Sequence, residues 1–254
     1  MFRHLSFVAS WISAGIVALL PAVANAGSTH VAVAANFTHA AIEIAGRFEE
    51  KTGHVAVLSF GSTGQLFAQV SQGAPFEVFL AADAERPALA INEGYGVEGT
   101  TFTYAVGRLA LWSADAGLVI GPETLLVGEF DKIAIANPDT APYGTAAVEV
   151  MRGLGAYEAL SAKIVRGNNI AQTYQFVETG NAEIGFVSLS QIVGHAAGSR
   201  WVVPAELHAP IRQDAVLLKV GENSAAARAF LEFLTSPDAV AVIQHYGYGV
   251  EGDR

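Results

Sequence analysis

No cysteine occurs among the 254 residues of the sequence. That absence excludes thiolate zinc sites, iron–sulfur clusters and cysteine nucleophiles. A chain of this size buries enough surface to fold without disulfides, so the absence is compatible with export. Cations are scarce too. The 14 Lys and Arg face 24 Asp and Glu, a net charge of −10, which argues against nucleic acid or an anionic membrane as partner. A small anion stays compatible, because its binding depends on the local field of a pocket. Signatures of catalysis are missing as well. Gly61-Ser62-Thr63-Gly64 lacks the Gly-x-Ser-x-Gly spacing of a hydrolase elbow, and no Lys follows it as in a Walker A loop. The seven histidines show no zincin spacing. Asp83 and Asp139 lie near strand ends with nothing to pair them as acid and base, so turn or cap roles are expected. An enzyme is not the expected reading.

What is present is apolar material: hydrophobic residues make up 52% of the chain. The first 26 residues form a unit of their own. Arg3 and His4 precede a mainly apolar run, Phe7 to Leu20, and Ala24-Asn25-Ala26 has the small-x-small pattern of a signal peptidase site. The run is shorter than the roughly 20 residues that span a bilayer, so cleavage after Ala26 and an exported chain are expected. No later segment is long and apolar enough to span.

Beyond Ala26, strand and helix patterns alternate. Val31–Ala35 reads as a buried strand, with Val55–Phe60 and Glu77–Ala82 as the next two strands. Thr38–Lys51 reads as a helix with Ala41, Ile44, Ala45 and Phe48 inward, Thr38 as N-cap and Gly53 as its end. A second helix starts at Gln65. The middle of the chain repeats the theme with strands at Leu109–Trp112, Lys132–Ala136, Ile164–Val165 and Ile184–Val187, and helices after Asn137 and Arg166. Two capped helices, Asn223 to Leu234 and Ser236 to Tyr246, close it. The alternation predicts α/β architecture with parallel sheets covered by helices. Two extended segments, Phe102–Trp112 and Pro210–Lys219, are the expected crossovers between two lobes. Lobe I would comprise 27–106 and 215–254, lobe II would be inserted as 107–214, and a cleft would lie between them. The echo "GYGVEG" at Gly94–Gly99 and Gly247–Gly252 is read as helix termination.

Ligands of open α/β sheets bind beyond the carboxyl ends of strands, where helix N-termini present free N–H groups. Four such joins occur here: "AANFT", "FGSTGQ", "PDTAPYG" and "GNNIAQ". They offer Asn36, Thr38, Ser62, Thr63, Tyr143, Asn168 and Asn169, with no Lys or Arg among them; Arg166 is the nearest cation. Each hydrogen bond to a charged group contributes roughly 1.5–3 kcal/mol. Four or five of them reach the range of micromolar to nanomolar binding, about 8–12 kcal/mol, if the cleft excludes water. Donor-only joins fit a fully deprotonated dianion, whereas monohydrogen phosphate would gain from an acceptor. Loop chemistry by itself leaves the identity of the dianion open.

Taken in order, "AANFTHA", "FGSTGQL", "GAPFEVFLAAD", "FTYAVGRLALWS", "NPDTAPYG" and "EIGFVSLSQI" resemble the periplasmic molybdate-binding proteins of ABC uptake systems, over nearly the whole chain after Ala26. The resemblance implies a two-lobed type II periplasmic-binding-protein fold that captures molybdate or tungstate. It also implies delivery to an ABC transporter membrane permease, with no cofactor, no cation-ligating metal site and a monomeric chain. Carried over by position, the oxyanion contacts fall on Asn36, where many members have serine, on Thr63 with Ser62 beside it, on Tyr143, and on the backbone N–H of Ile170. Some members add a tyrosine where this chain has Ser188, a role that Tyr143 would assume here.

Overall fold

The computed structural model describes residues 26–250; Met1 to Asn25, which hold the signal pattern up to its last residue, lie outside the described residues. The chain runs β1 (Ser28–Ala34), α1 (Thr38–Thr52), β2 (Val55–Gly61), α2 (Thr63–Ser71), β3 (Val78–Leu80), α3 (Glu85–Asn92), β4 (Phe102–Gly107) and β5 (Leu109–Ser113). It continues through α4 (Glu123–Val127), β6 (Ile133–Ala136), α5 (Pro142–Gly153), α6 (Tyr157–Leu160), β7 (Ile164–Gly167), α7 (Ile170–Glu178), β8 (Ile184–Ser188) and α8 (Leu189–Ile192). The last elements are β9 (Ser199–Val202), β10 (Ile211–Leu217), α9 (Ala225–Leu234) and α10 (Pro237–His245).

Two five-stranded sheets result, ordered β2-β1-β3-β10-β4 and β7-β6-β8-β5-β9. This is the two-lobed α/β architecture read from the sequence, with one correction. The sheets are mixed, not parallel. β10 runs antiparallel to β3 and β4, and β5 runs antiparallel to β8 and β9. The reason is connectivity: β5 follows β4 directly and β10 follows β9 with no α-helix between, so neither enters through an α-helical crossover. Between β4 and β5 only Arg108 intervenes. β10 has a bulge between Gln213 and Asp214.

Each sheet buries its own core. In the first, β1 is continuous apolar surface from Val31 to Ala34, and α1 lays Ala40, Ala41, Ile44 and Phe48 on it. Phe48 meets Phe230 edge-on, with ring centroids 5.2 Å apart. Fully burying such a side chain contributes about 1.5–3 kcal/mol. In the second, Ala147, Val150 and Met151 of α5 pack on Ile133 and Ile135 of β6. Two local readings shift. The helix expected at Gln65 begins at Thr63, with Ser62 as its cap. Thr38 is not an N-cap; a 3-10 turn, Ala35–Phe37, precedes α1, and the Thr38 hydroxyl donates to Ala35 O. The "GYGVEG" glycines do stop helices: Gly94 and Gly247 have φ of 81° and 79°, the left-handed region that glycine enters without strain. Among the described residues no helix is long and apolar enough to cross a membrane.

Candidate functional site

The carboxyl ends of β1, β2, β6 and β7 converge where the two sheets face each other. At the first join the chain tightens into the 3-10 turn, which buries Asn36 to 4% exposure. At the second, Ser62 is extended (ψ 149°) and its Oγ accepts from Gln65 N at 3.4 Å, an N-cap that starts α2. Thr63 follows, and its Oγ1 accepts from Ala82 N at 3.0 Å, so the hydroxyl hydrogen is left to donate. At the third, Asn137 Oδ1 holds the turn by accepting from Asp139 N, and Pro142 opens α5, placing Tyr143 one residue in. At the fourth, Asn169 caps α7 by accepting from Gln172 N at 2.9 Å, which places Ile170 at the first helical position.

The structure brings together Asn36, Ser62, Thr63, Tyr143 and Ile170 around one small cavity of about 10 Å³. Its remaining walls are Ala34, Ala35, Gly61, Ala82, Ala141 and Pro142, so among the described residues no charged side chain lines it. The first-turn amides of α2, α5 and α7 have no acceptor inside their own helices. Three helix N-termini of at least nine residues thus add their dipoles to the hydroxyl donors. Thr38, Asn168 and Asn169 do not reach this space; Asn169 serves as a cap, and Asn168 N donates to Gln172 Oε1. Arg166 lies exposed on β7. Asp83, just before α3, accepts from Arg86 N and Arg86 Nη1, and burial raises its carboxyl above the usual range.

Sequence reasoning missed a shell of polar groups behind the cavity. Asn36 Nδ2 donates to Gln213 Oε1 at 2.9 Å and to the Tyr248 hydroxyl at 3.1 Å. The Tyr143 hydroxyl accepts from Ser188 Oγ at 3.1 Å and from Gln213 Nε2 at 3.3 Å. Ser188 therefore supports Tyr143 and does not line the cavity. Burial, then the neighbouring Tyr248, pushes the Tyr143 phenol well above its ordinary pKa, which keeps it a protonated donor. Burial likewise pushes Tyr248 up to about 12. A signal for Gln213 existed: it is the one neutral polar residue of β10, whose other members are apolar or charged. Tyr248 sat in the second "GYGVEG", where helix termination explained the glycines but not the ring between them.

The lobes are tied together over this cavity. Ser190 Oγ, from the second sheet's side, donates to Asn36 O at 2.9 Å, and the Tyr248 hydroxyl lies 2.7 Å from the same oxygen. On the other side Gly64 N donates to Thr140 O at 2.9 Å. A Cβ built at Gly64 would stand 3.1 Å from Thr140 Cα, so the close approach suits glycine. Gly107 has the same use at the end of β4. A Cβ there would fall inside the contact distance of the Tyr143 hydroxyl and 2.7 Å from Gln213 Nε2.

Residues 29–249 match the bacterial extracellular solute-binding protein family. The molybdate-binding protein ModA of Rhodobacter capsulatus is 54% identical over 228 residues, covering 90% of each chain. The ModA of Azotobacter vinelandii is 51% identical over 237 residues, covering 92% of this chain and 94% of that one. Among solved structures, the periplasmic molybdate-binding protein of Azotobacter vinelandii superposes with a TM-score of 0.85 at 40% identity, covering 87% of this chain and 99% of that one. This chain belongs to the bacterial extracellular solute-binding protein family, on the branch of its molybdate-binding members.

Proposed function

We propose that this protein captures molybdate, or the isosteric tungstate, between its lobes and hands it to an ABC transporter permease. The observation that carries the reading is the cavity itself: neutral hydroxyls and free helix amides, with no charged side chain, where two lobes meet. Relatives named as molybdate-binding proteins support it over nearly the full chain. Sulfate shares the charge and shape, but nothing observed favours it, and binding accounts for the site without catalysis. In the reading we adopt, Thr63, Ser62 and Tyr143 donate from side chains. Asn36 and Ile170 donate backbone amides, since both Asn36 side-chain hydrogens are engaged elsewhere. The protein works in the periplasm as a monomer, after cleavage behind Ala26, with 27–106 and 215–254 forming one lobe and 107–214 the other.

Two outcomes test this reading. Tyr143→Phe removes one donor from a buried anion and is expected to weaken molybdate binding roughly five- to 150-fold, read by calorimetry. Ile170→Val leaves the amide in place and should shift affinity less than about twofold. Equal affinity in Tyr143→Phe and wild type would remove Tyr143 from the site. Closure is the second test. The lobes should swing about Arg108 and β10 when ligand leaves, so solution scattering should give a smaller radius with molybdate than without. An unchanged radius would contradict hinged capture.

A further inference from the structure

We propose that Gln213 is a positioning residue that fixes the direction of the Tyr143 hydrogen, making that phenol a donor to the bound oxyanion and never an acceptor. This rests on the molybdate reading above, and assigns the source of its polarity.

Gln213 lies on β10 immediately before the bulge and is 0% exposed, so every polar atom of its amide needs a partner within the protein. Its Oε1 accepts from Asn36 Nδ2 at 2.9 Å and lies 3.1 Å from the Tyr104 hydroxyl, whose one hydrogen is shared with Ala81 O at 3.0 Å. Its Nε2 can only donate, and it points at the Tyr143 oxygen, 3.3 Å away. Ser188 Oγ stands 3.1 Å from the same oxygen, with one hydrogen to share between it and Ser190 Oγ, 2.8 Å away. A phenol oxygen that receives the Gln213 hydrogen has its own hydrogen left over, and Tyr143 lines the cavity. One amide thus joins the first join (Asn36), the third join (Tyr143) and a strand that returns the chain to the first sheet. The polarity has a consequence for selectivity. A ligand carrying a proton needs an acceptor, and Gln213 denies it one at Tyr143. Gly107 opens the space in which the amide and the phenol meet.

The test is a double-mutant cycle on the mature protein titrated with molybdate, with thermal unfolding of each variant as the folding control. Gln213→Met keeps the shape and removes the amide; affinity should fall about tenfold. In a Tyr143→Phe background the same change should matter less than about twofold, because no phenol hydrogen remains to be oriented. Gln213→Glu adds a second readout. As a carboxylate it would draw the Tyr143 hydrogen away from the ligand; as a protonated acid it has one donor and one acceptor, like the amide. Its affinity should be about 100-fold below wild type near pH 9 and recover at least tenfold near pH 6, while wild type stays flat.

The groups facing this position are Tyr104 from β4, Tyr143 from α5 and Tyr248 after α10, with Asp214 and Asp83 acting on Tyr104. The tyrosines do not titrate in that window, since burial raises all three. Equal losses from Gln213→Met in both backgrounds would overturn the proposal, as would a Gln213→Glu affinity independent of pH. If Gln213→Glu does not fold, the Gln213→Met cycle decides alone. Failure of wild type to bind molybdate would instead remove the functional reading itself.

Discussion

Thr63→Val should weaken molybdate binding roughly five- to 150-fold and should also lower stability by about 1–3 kcal/mol. Both effects come from one oxygen. The Thr63 hydroxyl accepts from Ala82 N at 3.0 Å while its hydrogen is free for the cavity. Valine keeps the shape, yet it removes a ligand donor and strands the Ala82 amide in a buried position. The substitution is therefore less clean than its isosteric shape suggests. Thr63→Ser supplies the control: it retains the oxygen, and both affinity and stability should stay near wild type. Calorimetry and urea unfolding read the two effects separately. A Thr63→Val protein that loses stability but binds normally would remove Thr63 from the ligand shell and leave it a purely structural residue.

Gly107→Ala is expected to act as strongly from outside the cavity. The new methyl group would overlap the Tyr143 hydroxyl and stand 2.7 Å from Gln213 Nε2. Tyr143 is buried to 1% exposure and has little room to retreat. Overpacking of this kind costs about 1–3 kcal/mol. Displacing the phenol also loses its donor, so affinity should fall at least as far as in Tyr143→Phe, by about tenfold or more. Combining Gly107→Ala with Tyr143→Phe should give less than the sum of the two losses, because the phenylalanine lacks the atom in conflict. Additive losses would mean that Gly107 acts on something other than Tyr143.

The cavity's front wall was legible in the sequence because caps and turns are local. Ser62 and Asn169 cap helices through residues three positions away, and such signals survive without knowledge of the fold. The core was legible for a related reason: Val31 to Ala34 and the α5 face show burial as an unbroken or periodic pattern. The back wall was not. Asn36 meets Gln213 and Tyr248 across 177 and 212 residues of chain, and nothing local to either residue marks that contact. Strand direction failed on the same ground. β5 and β10 read as extended crossovers without direction, and their antiparallel pairing follows from where the chain crosses between lobes. Thr38 misled because it is a good cap residue placed after a 3-10 turn that its sequence does not announce.

The central claim is that neutral donors alone hold a fully deprotonated tetrahedral dianion. Competitive calorimetry on the mature protein tests it most directly, with molybdate, tungstate, sulfate and phosphate titrated under one condition. The account predicts one molybdate per chain, bound in the micromolar to nanomolar range, with monohydrogen phosphate weaker by about 100-fold or more because the cavity supplies no acceptor for its proton. Phosphate binding as tightly as molybdate, or no heat with molybdate at all, would contradict it.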